Sequence, residues 1–262
     1  MQLVEYTVSG GIGSITLNRP EKRNALSPEL IGDIRAAFVR AERDDQVRIV
    51  VLKAAGESFC AGADLEYLQK LQQFTYAENL EDSARLKDLF WQIYTHPKVV
   101  IAQVQGHALA GGCGLVTVCD FCFASSDARF GYTEVKIGFV PALVMSFLLR
   151  RIGEGRARQL LLTGTLIDAK EAYTIGLINC VCEKKMLAKD VQGFAEAMIR
   201  ANSYQAMKTT KQLIVQAQSL IPEEALSMAA EANAKARGST DFRRGIAAFL
   251  NKEKMDWSKV KG

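Results

Sequence analysis

Short β-prone runs at 3–8 and 14–17 flank Ser9-Gly10-Gly11-Ile12-Gly13, and this arrangement predicts a hairpin. Asn18-Arg19-Pro20-Glu21 interrupts the pattern. Ser27-Pro28 then offers an N-cap and a first-turn proline, and Leu30, Ile34, Ala37, Phe38 and Ala41 recur at helical spacing, so a helix is expected from there to about Asp44. A strand follows at 49–54. After Ala55-Gly56, the small residues of 59–65 lead into a helix-like stretch at 66–71. The polar stretch 72–83 reads as a mobile loop, and Leu86, Phe90 and Ile93 mark an amphipathic helix that ends at His96-Pro97.

The apolar strand 99–104 repeats the earlier design, because Gly106-His107-Ala108-Leu109-Ala110-Gly111-Gly112-Cys113-Gly114 turns it into the apolar segment 115–118. Twice a strand feeds a turn of small residues that starts a helix, which is the signature of a right-handed crossover unit. A third strand is expected at 121–124, and from Leu143 onward the pattern is mostly helical: 146–152, 157–162, 168–175, 185–201, 204–219, 222–236 and 241–251. The fold class is therefore α/β with a helical C-terminal extension, divided into a core at 1–200 and a helical region at 201–262.

Composition narrows function only a little. The net charge of +4 arises from 33 basic and 29 acidic residues with no block of like charge, so no nucleic-acid tail is expected. No window has the apolar length of a membrane span. The six cysteines are irregularly spaced and no signal-peptide pattern precedes the first strand, which predicts a reducing, cytoplasmic setting. Cys119 and Cys122 form a C-x-x-C spacing inside an apolar run without a second ligand pair, so they read as buried small hydrophobes and no metal site is expected.

Chemistry is suggested by the two turns. A helix N-terminus presents unpaired amides, and small residues let an oxygen reach them. If the amides of Ala63 and Gly111 point into one pocket, they make an oxyanion hole for a carbonyl oxygen that gains charge.

Arg23-Asn24-Ala25-Leu26, Phe59-Cys60-Ala61-Gly62-Ala63-Asp64-Leu65 and 106–112, together with Cys119-Asp120, Ala128-Arg129-Phe130-Gly131, Glu134, Gly138, Pro141, Thr163-Gly164 and Gly176-Leu177-Ile178, resemble the crotonase (enoyl-CoA hydratase/isomerase) superfamily in order and spacing along essentially the whole chain. The resemblance implies a spiral of stacked ββα units and a helical C-terminal region that builds trimers or dimers of trimers. It implies an acyl-CoA thioester substrate with no separate cofactor, coenzyme A being part of the substrate. It assigns Ala63 and Gly111 to the thioester oxygen and Glu134 to acid/base catalysis. Arg23, Ala25, Leu26, Ala61, Asp64 and Leu65 fall on the nucleotide and pantetheine path, and Gly114, Tyr132, Pro141 and Ala142 on the acyl side. Lys252 and Lys254 beside Phe249 resemble residues that contact a neighbouring subunit's CoA.

Two departures from the family pattern matter. Family hydratases carry a glutamate where this chain has Gly114, and where they run into glycines after the proline this chain has Ala142-Leu143-Val144-Met145. A lone Glu134 still moves a proton between two carbons of a thioester, so Δ3-to-Δ2 enoyl-CoA isomerisation is favoured. A hydratase, of methylglutaconyl-CoA or another branched enoyl-CoA, with its second group at Glu66, Tyr67 or Glu81 is the alternative; a decarboxylase and a non-catalytic acyl-CoA-binding protein stand further off. Among the remaining polar residues, Asp64 reads foremost as a helix N-cap, His107 as packing, His96 as a solvated cap, and Asp120 and Arg129 as a structural pair or solvated charges.

Overall fold

The computed structural model describes residues 2–260, apart from the side chain of Leu65. The N-terminal runs fold as antiparallel strands β1 (Val4–Ser9) and β2 (Ile12–Leu17). Gly10 and Gly11 both take positive φ, 57° and 84°, as a two-residue turn matched to strand twist requires. Helix α1 (Pro28–Arg43) starts where its signals lie: the Ser27 side chain accepts from the Leu30 N–H at 3.3 Å, and Leu30, Ile34, Phe38 and Ala41 are buried.

Next come β3 (Ile49–Ala54), α2 (Leu65–Leu71) and α3 (Tyr76–Tyr94). The stretch expected as a mobile loop is thus largely helix. Thr75 and Glu78 form a reciprocal capping box, a start signal that the polar composition of the first turns obscures. The chain continues through β4 (Val99–Val104), β5 (Ala108–Leu109), α4 (Gly111–Thr117), β6 (Phe121–Ser125), β7 (Arg129–Gly131), α5 (Ala142–Thr163), β8 (Ile167–Asp168), α6 (Ala169–Thr174), β9 (Cys180–Cys182) and α7 (Leu187–Ala201). A break at Gly153, φ 75°, interrupts α5.

One sheet runs β1-β2-β3-β4-β6-β9, parallel from β2 onward; the other runs β5-β7-β8. Isolated bridges Leu26 to Ala63 and Cys60 to Ala108 line up with the second sheet, so successive coils stack turn upon turn. One face of the large sheet packs against α1 and α3 through Leu52, Phe38, Phe90 and Ile93, and the other against α7 through Leu187, Val191, Ala195 and Ile199.

The last helices, α8 (Tyr204–Ala217), α9 (Pro222–Arg237) and α10 (Thr240–Leu250), bury only Lys211 and Ala248 among their described residues. Lys211 ties α8 to the core by pairing with Asp120 at 2.6 Å and donating to the Lys98 carbonyl at 3.1 Å. Two expectations change here. Asp120 pairs with Lys211 and also accepts from the Val100 N–H at 2.7 Å, while Arg129 is exposed. His96 is buried edge-on to Phe38 with no partner at Nε2, and burial lowers its pKa to about 4. A residue before proline at a helix end looks solvated in sequence, but α1 and α8 cover this one.

Candidate active site

The first turn is fixed from below. Asn24 is fully buried at φ 53°; its Oδ1 accepts from the Arg19 N–H, and its Nδ2 donates to the Ala55 and Ser58 carbonyls, each at 2.9 Å. That locks 23–26 onto the end of β3. The Leu26 N–H then donates to the Gly62 carbonyl at 2.7 Å, and the Asp64 N–H to the Leu26 carbonyl at 2.9 Å. Ala63 sits between those two bonds, exposed, and its own N–H has no acceptor among the described residues. Gly62, at φ 92°, must be glycine: a Cβ there would lie 2.9 Å from the Ala110 Cβ.

The second turn is fixed by packing. Ala110 holds a φ of 48° and ψ of −123°, and its N–H donates to the Gly131 carbonyl at 2.8 Å. Helix α4 starts at Gly111 without a side-chain cap, and the Gly111 N–H also lacks an acceptor. A Cβ on Gly111 would stand 3.0 Å from Leu26 Cδ1, and one on Gly112 would run into the Cys60 carbonyl. Leu26 therefore touches both turns, bridging Ala63 through its backbone and meeting Gly111 with its side chain.

Glu134 opens a 3-10 turn (Glu134–Ile137) that ends in Gly138 at φ 75°. Its Oε2 is buried with no hydrogen-bond partner. Burial pushes its pKa above the usual carboxylate range, opposed in part by its own backbone N–H, and no charged group contributes. Gly114, one turn into α4, faces a filled wall: a Cβ there would lie 2.6 Å from both Phe90 Cζ and Val144 Cγ1. A side chain at 114 therefore requires the Phe90 ring and the Val144 side chain to shift.

The other expected residues separate. Arg23 is exposed at φ 52°, Ala61 and Pro141 are half-buried, Ala142 is exposed, and Ala25 and Leu26 are buried. Pro141 caps α5. The Leu65 side chain lies outside the described residues. The Tyr132 assignment is corrected, and of the two roles read for Asp64 the foremost, the helix cap, is the one observed. Tyr132 has no exposed surface and its hydroxyl meets Thr117 Oγ1 at 2.5 Å, so it belongs to the core behind Glu134 and presents nothing to an acyl chain. The Asp64 carboxylate is fully used: Oδ1 accepts from the N–H groups of Glu66 and Tyr67 at 2.9 and 3.2 Å, and Oδ2 pairs with Arg19 at 2.8 Å. Asp64 serves the protein, not a ligand.

The pairing of Arg19 with Asp64 and the packing of Phe90 and Val144 over Gly114 escaped the sequence reading, since an arginine before proline and apolar residues at helical spacing carry no signal of distant contacts. Ile137, Phe139, Val140 and Met145, beside Glu134, expose large apolar side chains. Two cavities of about 740 and 700 Å³ lie elsewhere, one against Phe147, Arg151 and Lys211 and the other among α8, α9 and α10. Cys60, Cys113 and Cys119 are buried, which pushes their thiols up to about 12 and leaves no thiolate near the turns. No cluster of metal-ligating side chains occurs among the described residues, nor any helix long and apolar enough to cross a membrane.

A stacked α/β spiral with two unpartnered turn amides and one desolvated carboxylate has the groups that can hold a developing negative charge on an oxygen and move a proton. Residues 7–260 match the enoyl-CoA hydratase/isomerase family model, and the chain belongs to that family of acyl-CoA enzymes. It is 41% identical over 243 residues to a Thermus thermophilus protein named "Putative enoyl-CoA hydratase", covering 93% of this chain and 96% of that one. It is similar to the crystal structure of an enoyl-CoA hydratase from Mycobacterium smegmatis, with a TM-score of 0.92, 31% identity and coverage of 97% and 98%. At 28% identity, with 95% of each chain covered, it is also similar to the trans-2-decenoyl-[acyl-carrier-protein] isomerase of Streptococcus mutans.

Proposed function

We propose that this protein is a cofactor-free enoyl-CoA isomerase in which Glu134 carries a proton from one carbon of a 3-enoyl thioester to another while the N–H groups of Ala63 and Gly111 hold the enolate oxygen. The observation that carries this reading is the solitude of Glu134. Among the described residues its Oε2 is buried and unpartnered, and Gly114, where the resemblance puts the second carboxylate of family hydratases, packs against Phe90 and Val144.

Moving a double bond into conjugation takes one base that becomes the acid, whereas adding water takes a second group to hold and activate that water. A carboxylate held neutral-prone by burial is suited to both halves of the shuttle. Arg23 and the segment around Ala61 lie on the path for the nucleotide and pantetheine, and Pro141 and Ala142 border the acyl end. The exposed apolar residues of the C-terminal helices, Ile214, Ile221, Leu226, Phe249 and Leu250, support self-association as a trimer or dimer of trimers.

The name of the Thermus relative favours a second reading, hydration of a 2-enoyl-CoA. Tyr67, one of the groups considered for a displaced acid, has its hydroxyl bound to Asp82 Oδ1 at 2.5 Å. Product mass separates the two: incubation with a 3-enoyl-CoA is expected to give a conjugated product of unchanged mass, and incubation with a 2-enoyl-CoA no gain of water. A hydrated product from the 2-enoyl-CoA would overturn the isomerase reading.

A further inference from the structure

Asp64 is a misplaced charge by the logic of the site. It is 4% exposed and follows directly the residue whose amide is assigned to the developing oxyanion, where a buried negative charge opposes the reaction. Its presence is explained locally, because it caps α2 through two backbone N–H groups and so fixes the turn. What makes it tolerable is Arg19. The Arg19 Nη1 lies 2.8 Å from Asp64 Oδ2 and donates to the Ala25 carbonyl at 3.3 Å, next to Leu26. The arginine side chain is itself largely buried, at 17% exposure. Its backbone N–H is held by Asn24, so the guanidinium arrives from a segment already locked to the end of β3.

We propose that Arg19 is a positioning and charge-neutralising residue of the oxyanion hole: it cancels the Asp64 carboxylate beside the Ala63 amide and clamps the turn that aims that amide. The inference rests on the assignment of Ala63 to the oxyanion hole, and is independent of whether the enzyme isomerises or hydrates. Arg19 touches no reacting atom. It acts through Asp64, leaving a free N–H at Ala63 in a neutral surrounding.

Two roles are separable by mutation. Arg19→Met leaves Asp64 buried and unpaired, and is expected to lower kcat about tenfold to a hundredfold with KM changed far less. Asp64→Asn keeps a capping side chain of equal quality. The double variant Arg19→Met/Asp64→Asn therefore removes the stray charge without restoring the clamp, and is expected to recover most of the lost kcat. A purely structural tether gives no such recovery.

The direct readout is the carbonyl stretch of a bound acyl-CoA labelled with ¹³C at the thioester carbon. In the wild type it is expected to fall from its value in water, in Arg19→Met to move back toward that value, and in the double variant to fall again. A wild-type stretch equal to that in water overturns the hole assignment itself. A lowered wild-type stretch that Arg19→Met leaves in place, or a double variant no better than the single one, overturns the role of Arg19 alone. Circular dichroism and melting curves of each variant establish that folded protein is compared; should Arg19→Met fail to fold, Arg19→Lys, which keeps the charge but loses the second donor to Ala25, is expected to retain the lowered stretch, and its loss overturns the charge argument.

Discussion

The two turns that present the free amides reach the same end by opposite means. The turn at 61–64 lies near the surface and is held by polar groups: Asp64 caps α2, Arg19 pairs with Asp64, and Lys22 pairs with Glu66. The turn at 110–114 is held by close packing: α4 has no side-chain cap, Gly112 lies on the Cys60 carbonyl, and Gly114 lies against Phe90 and Val144. Both turns are therefore held in place, one by charged and capping groups and the other by van der Waals contact.

The strongest way to sharpen this comparison is to leave both turns intact and remove the carboxylate of Glu134. Glu134→Gln is expected to lower kcat about 10²- to 10⁴-fold with unchanged acyl-CoA binding, measured by turnover and calorimetry. Next in size, Gly114→Ala forces a methyl into the packed turn and is expected to destabilise the fold by about 1–3 kcal/mol in urea denaturation; a neutral outcome would break the claim that packing fixes this turn. On the polar turn, Asp64→Ala is expected to cost about 1 kcal/mol for the lost cap, with α2 exchanging amide protons faster while α4 is unaffected.

The pH dependences are smaller and have definite signs. The folded state holds the Glu134 proton more tightly than the unfolded chain, so ionising it costs stability as pH rises through its raised pKa. Glu134→Gln is therefore expected to raise the melting temperature more at pH 7 than at pH 4. His96 has the opposite effect: its folded pKa is about 4 against an ordinary 6.5, so stability contributed by the neutral ring is full above the ordinary value and is lost as pH falls toward 4. His96→Phe is expected to flatten that acid limb.

Much of this architecture was legible in the chain. The hairpin, the Ser27-Pro28 start and the two small-residue turns rest on local stereochemistry, which a sequence carries at each residue. The start of α3 was hidden because its capping box lies among polar residues, where hydrophobic periodicity is silent. Contacts between distant elements were harder still. Nothing near His96 announces that α1 and α8 cover it, and Asp120 finds its partner 91 positions away. At the site, Glu134 and the turns were singled out by resemblance, whereas the packing over Gly114 was not foreseen, since Phe90 and Val144 look like ordinary core until three helices are brought together. Tyr132 shows the reverse: a polar residue two positions before Glu134 looked functional and is core.

The central claim is that a single carboxylate, with no place for a second, returns a proton instead of adding water. The most direct test is reaction of a 3-enoyl-CoA in H₂¹⁸O, followed by mass spectrometry of the acyl product. The expected product is the conjugated 2-enoyl-CoA without ¹⁸O, its formation abolished in Glu134→Gln. A 3-enoyl-CoA left unchanged, or a 3-hydroxyacyl-CoA carrying ¹⁸O, would contradict it.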